Sequence, residues 1–194
     1  NHRPPILPDS CLVILDEGHK LPEAARQMFG RSLRGDDLRE LMEQMKIERF
    51  TRTAEFFAMH TRDLLMLLED APEDHVFAEY AAELTMPYKI LQGFIARKLG
   101  TMSRPLLRKV RNTMETMETL LQYADGEETV CYAAGDETGE TVLWATPYHL
   151  DMELRKTLWN QFKGLVVTSG TMAVANDFTR FRKTVRSEEH TSEL

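Results

Sequence analysis

The sequence predicts an α/β protein: a parallel-type sheet interrupted by a long helical insertion that ends in a small β-hairpin. Three observations carry this. Two short apolar runs, Cys11–Leu15 and Gly164–Val167, lack polar alternation, and each stops on a polar cluster, DEGH and TSGT. The stretch between them, from Asp36 to Asp125, places apolar residues at helical spacing almost throughout. Two segments rich in β-formers, ETVCYAA and ETVLWAT, flank the turn sequence GDETG.

Taken in order, Leu12 to Leu15 reads as a strand buried on both faces, because every position is apolar. Pro22-Glu23 then opens a short helix through Phe29, with Pro in the first turn and an acid near the positive end of the helix dipole. In the insertion, Leu38, Leu41, Met42 and Met45 share one face, and Phe56, Phe57, His60, Leu64, Leu67 and Leu68 share another. Tyr80, Leu84, Tyr88, Leu91, Ile95 and Leu99 follow, then Leu106, Val110, Met114, Met117 and Leu121. Breaks fall at Ala71-Pro72-Glu73, Gly100 and Gly126, giving three or four long helices. The methionines on these faces, and His60, read as core residues; His75 and His149 read as loop residues. The hairpin turns at Gly135 and Gly139, and Pro147 closes its second strand. Asp151 to Phe162 reads as an amphipathic helix, Gly164 to Val167 as a second buried strand, and Asn176-Asp177 as the cap of a final helix. In open α/β sheets ligands bind at the carboxyl ends of the strands, where DEGH and TSGT both lie.

Composition sets the bounds. The 194 residues are 42% hydrophobic and 28% charged with net charge −7, a globular balance that does not advertise nucleic-acid binding. Cys11 and Cys131 form no CxxC pair, so no iron–sulfur cluster or zinc ribbon is expected within the chain, and a reducing, cytoplasmic location is. No apolar run is long enough for a membrane span, and the opening NHRPPILPDS lacks the shape of a signal peptide. The chain opens without Met, and its last residues, RSEEHTSEL (186–194), match the in-frame translation of a common sequencing adapter. A central fragment with an artefactual tail is therefore expected, with His190 irrelevant to function.

LVILDEGHKLPEAA resembles motif II, the Walker B or DEAH box, of the DinG branch of superfamily 2 helicases, relatives of XPD. VVTSGTM resembles their motif III, which usually reads TSATL, and VLWATPYHLDMELRKTLW resembles the return path into it. Asn1-His2 is similar to a pair found shortly upstream of the box in that group. The resemblance covers residues 1–185 and implies four segments. Residues 1–30 would belong to the first RecA-like motor domain, of P-loop NTPase type; 31–146 would be a helical arch-like insertion ending in the hairpin; 147–185 would return to the motor with motif III; 186–194 would be the adapter tail. Gly18 and Gly170 replace the usual Ala of the two motifs, and Met172 replaces Leu; all three changes keep side-chain volume close.

The resemblance implies ATP and Mg²⁺ as cofactors, single-stranded or forked DNA as partner, and 5′-to-3′ unwinding in DNA repair or replication as activity. Asp16 would hold Mg²⁺ through water at the phosphates, binding the nucleotide together with Glu17. Glu17 would orient and deprotonate the attacking water. His19 would carry the signal to motif III, where Ser169 and Thr171 offer neutral groups able to exchange hydrogen bonds. The sequence contains no GxxxxGK[ST] phosphate loop, so these 194 residues alone are expected to be inactive, with that loop supplied upstream.

One feature is independent of the resemblance. Between Leu84 and Met114 stand seven basic residues, Lys89, Arg97, Lys98, Arg104, Arg108, Lys109 and Arg111, and no acid. A phosphate-backbone track and a solvated helical face both fit this run. A reading from another class is also open: a non-catalytic helical module that binds DNA or a protein partner.

Overall fold

The structure, a computed structural model, describes residues 12–124, 128–136, 138–162 and 164–169. Among the described residues it is α/β and mostly helical, with a small parallel sheet and a separate antiparallel one. The described residues divide into two compact units: those up to Gly30 together with those from His149 onward, and those of Arg31–Tyr148.

In the first unit, β1 (Leu12–Leu15) pairs in parallel with β5 (Gly164–Val167), Leu12 opposite Gly164 and Leu15 opposite Val167. A 3-10 turn, Gly18–Lys20, leads from β1 into α1 (Leu21–Phe29), where Pro22 sits in the first turn and needs no N–H partner. Ala25 of α1 is buried against Leu154 of α6 (Leu150–Leu154), with Leu21, Phe29, Leu158 and Trp159 around them. The helix expected over 151–162 is shorter: α6 widens into a π-helical turn at Arg155–Trp159 and stops before Phe162. The expectation that β1 is buried on both faces also fails. Leu12 is 58% and Ile14 64% exposed. Successive side chains leave opposite faces of a pleat, and among the described residues this sheet has only two strands, so one face stays open.

The second unit opens with β2 (Arg31–Leu33), followed by α2 (Gly35–Ile47), α3 (Thr51–Glu69), α4 (Phe77–Lys98) and α5 (Arg104–Leu121). Each helix packs on the next, and α5 returns to α2, closing a four-helix arrangement. β3 (Thr129–Gly135) and β4 (Thr141–Pro147) form the expected hairpin, and β2 adds to β4 to give the order β2-β4-β3, all antiparallel. Leu38, Leu41, Met45, Phe57, Leu64, Leu84, Leu91, Phe94, Leu106, Val110, Met117 and Leu120 share one core with Leu33 and Leu143 of the sheet. Each fully buried side chain of this size contributes up to about 1.5–3 kcal/mol.

Local chemistry explains the joints. Ser103 caps α5 by accepting from the Leu106 N–H at 3.2 Å. The Glu48 carboxylate, at the end of α2, accepts from the Ser103 N–H (3.0 Å), from its hydroxyl and from the Gln44 amide, which together hold it below the usual carboxylate range against the opposing effect of burial. At the hairpin turn, Asp136 Oδ1 accepts from the N–H groups of Thr138 (2.8 Å) and Glu140 (3.2 Å), while Gly139 takes φ +86°. On α3 the buried stripe is Ala54, Phe57, Thr61, Leu64 and Leu68; Phe56 is 49% exposed and stacks edge-on against a half-buried His60 at 4.7 Å. His60 is therefore a rim residue and not a core one.

Candidate functional site

The parallel pairing puts the ends of β1 and β5 side by side, so Asp16-Glu17 and Thr168-Ser169 emerge at the same edge. Three bonds from Thr168 lock them. Its N–H donates to the Leu15 carbonyl (2.8 Å), its carbonyl accepts from the Gly18 N–H (2.8 Å), and its hydroxyl donates to Asp16 Oδ1 (2.8 Å). The Glu17 N–H donates to the same oxygen at 2.9 Å. These donors, Thr168 first, hold the Asp16 carboxyl below its ordinary range, and so keep it ionised.

Among the described residues both hydrogen bonds of Asp16 fall on Oδ1. One ionised carboxylate suits Mg²⁺, an ion that retains several waters and takes further oxygens from phosphate. Among the described residues no cluster of three or more His, Cys, Asp or Glu could hold a metal by itself. A phosphate-bearing ligand would have to complete such a site.

Glu17 sits in the left-handed region, at φ 54° and ψ 42°, a conformation costing a non-glycine residue about 1–2 kcal/mol. The following Gly18 is buried. Glu17 Oε2 lies 3.1 Å from His19 Nδ1, and the same nitrogen lies 2.7 Å from Ser169 Oγ. An N–H on Nδ1 satisfies both acceptors at once; a bare Nδ1 would set its lone pair against the carboxylate. His19 is thus a bridge between the two strand ends.

Of the residues singled out by sequence, Asp16, Glu17, His19 and Ser169 are brought within one hydrogen-bonded group, while Thr171 lies outside the described residues. Thr168, which ties the group together, was not among them. Its signal was available: it directly follows the second apolar run, and in parallel register with Leu15 it must stand beside Asp16.

The basic run belongs to the helical unit. Lys89, Arg97, Lys98, Arg104, Arg108 and Arg111 are exposed and form no ion pair among the described residues, whereas Lys109 pairs with Glu40 at 2.5 Å. Arg104, Arg108 and Arg111 recur at helical spacing on α5, opposite the buried Leu106, Val110, Thr113 and Met117. Three cations in the first half of a helix oppose its dipole, and the first turn contains no acid. They do not serve the helix. Glu115 and Glu118 end this face, bonded to Arg31 (3.1 Å) and the Tyr88 hydroxyl (3.2 Å).

Among the described residues no helix is long and apolar enough to cross a membrane. Compared with models of known protein families and with curated proteins, the chain matches none of them.

Proposed function

We propose that this chain carries the Walker B and motif III edge of a RecA-like motor domain in a DinG-like, ATP-dependent DNA helicase, with the helical unit as its arch. The observation that supports the reading best is the parallel β1–β5 pair, which joins DEGH to Thr168-Ser169 across some 150 residues of chain through the Thr168–Asp16 and Ser169–His19 bonds. In this reading Asp16, held ionised by Thr168, would hold Mg²⁺ through water. When bound, the ion would supply charge neutralisation on the transferring phosphoryl group. Glu17, with its side chain exposed at the strand ends, takes a proton from the attacking water. His19 hands the change in charge at Glu17 to Ser169, because both compete for one N–H. The exposed arginines of α5 contact DNA phosphates.

A phosphate-cradling loop must reach the site from outside these residues, so the test uses the complete coding sequence that contains them. It should carry GxxxxGK[ST] ahead of Asn1 and hydrolyse ATP in a DNA-stimulated manner. Glu17→Gln should retain ATP binding and lower turnover about 10²–10⁴-fold, the range for loss of a general base. Unchanged turnover in that variant overturns the assignment. A non-catalytic helical module draws only on the compact Arg31–Tyr148 unit and leaves the DEGH–TS contacts without a role.

A further inference from the structure

A second cluster of titratable groups lies in the helical unit, at the corner between α3 and α4. His75 stands between Asp70, which ends α3, and Glu79, in the first turn of α4. Glu79 Oε2 is 2.7 Å from its Nδ1, and Asp70 Oδ2 is 3.0 Å from its Nε2. A neutral imidazole has a single N–H, so one of these contacts would set a nitrogen lone pair against a carboxylate oxygen. Only the imidazolium donates both.

Within the corner the Asp74 N–H donates to the Ala71 carbonyl and the Glu79 N–H to the Val76 carbonyl, both at 3.0 Å, and neither bond joins α3 to α4. A carboxylate at the negative end of α3 and a cation ahead of the positive end of α4 each oppose a helix dipole, and pairing them removes both penalties. Beneath the ring, Tyr80 is fully buried, edge-on to His75 at 5.8 Å, and its hydroxyl has no hydrogen-bond partner among the described residues. Thr141, at the start of β4, donates to the Asp70 carbonyl at 2.7 Å.

We propose that the α3–α4 corner is a proton-dependent clamp: protonated His75 joins Asp70 to Glu79 over Tyr80, and loss of that proton frees the first turns of α4. Asp70 and Glu79 favour the proton, against the opposing effects of burial and of the positive end of α4. α3 presents Asp70, with Glu69 held by Arg39 at 3.0 Å; the 3-10 turn Pro72–Asp74 presents Glu73 and Asp74; α4 presents Glu79. β4 presents the neutral Thr141, and Glu140 beside it faces Arg39 at 3.9 Å. The bond to Asp70, then that to Glu79, raises the pKa of His75 above its ordinary value. A raised folded value means the clamp is complete below the unfolded value of about 6.5 and is lost as pH climbs through the folded value.

The test is an NMR titration of the His75 ring protons in the 194-residue chain, run beside hydrogen exchange of the amides of residues 81–84, corrected for intrinsic rates. The ring should titrate above an ordinary histidine, and Asp70→Asn and Glu79→Gln should each lower the midpoint. Opening at residues 81–84 should increase by up to about tenfold per pH unit between the two values, and that dependence should vanish in His75→Gln. Should His75→Gln fail to fold, the midpoints of the two carboxylate variants decide by themselves. An ordinary midpoint, one that neither carboxylate variant moves, or the same pH dependence of exchange in His75→Gln, overturns the proposal.

Discussion

Tyr80→Phe removes one oxygen from the middle of the helical unit, and the structure says it should stabilise the protein. Tyr80 is 0% exposed, and its hydroxyl has no partner among the described residues. The neighbouring Thr141 hydroxyl directs its proton to the Asp70 carbonyl at 2.7 Å, so it does not donate to Tyr80. Burial raises the pKa of the phenol, as expected for a desolvated group. A buried hydroxyl without a partner costs about 1–3 kcal/mol. The small void left by the oxygen returns a few tenths, at about 24 cal/mol per Å³. The net gain is about 1–2 kcal/mol, or roughly 3–10 °C in Tm for a unit of this length. Thermal and urea unfolding of both proteins measure it, with Tyr80→Ala as the control, which should lose about 3–5 kcal/mol through its cavity. A lower Tm in Tyr80→Phe would mean that the hydroxyl bonds a buried water, and would refute the reasoning.

Three further outcomes follow. Thr168→Val removes the first donor to Asp16, so the Asp16 carboxyl, followed by NMR, should titrate closer to the ordinary value while Thr168→Ser retains the shift. Because the folded pKa is depressed, the associated stability is present above the unfolded value and lost as pH falls through the folded one, so Thr168→Val should flatten the acid limb of a stability–pH curve. Replacing Arg104, Arg108 and Arg111 with Ala should leave the fold intact, since all three are exposed, and should lower the slope of log affinity for single-stranded DNA against log salt by up to about two units, at roughly 0.7 per phosphate. An unchanged slope would mark a solvated face. Lys109→Ala, whose partner is Glu40, should change that slope least of the basic substitutions.

Several elements are legible because their signals are local. Alternating β-formers around GDETG specify the hairpin, and Pro22 and Glu23 specify the start of α1. Other elements rest on contacts with no local trace. β2 has three residues and forms only because β4 offers an edge to Arg31–Leu33. Phe56 and Phe57 are alike by hydropathy, yet their directions differ by about 100° on a helix, and only the neighbours of α3 decide which is buried. His75 looked like a loop residue and is one; its two carboxylate partners come from different helices.

For this protein the sequence by itself determined the helical periodicity, the hairpin, the two apolar strands and the polar clusters that end them, because each arises from propensities and spacings within a few residues. The parallel pairing of β1 with β5 was expected from sequence, and tertiary structure added its register and the side-chain contacts that make Thr168 the residue that holds Asp16 and His19 the bridge from Glu17 to Ser169. It also decided which cations are paired and which face solvent, and that one imidazole closes the α3–α4 corner. Those contacts join groups whose separation along the chain carries no information about their separation in space, so a hydrogen bond of under 3 Å between residues 152 positions apart exists only once the fold has formed.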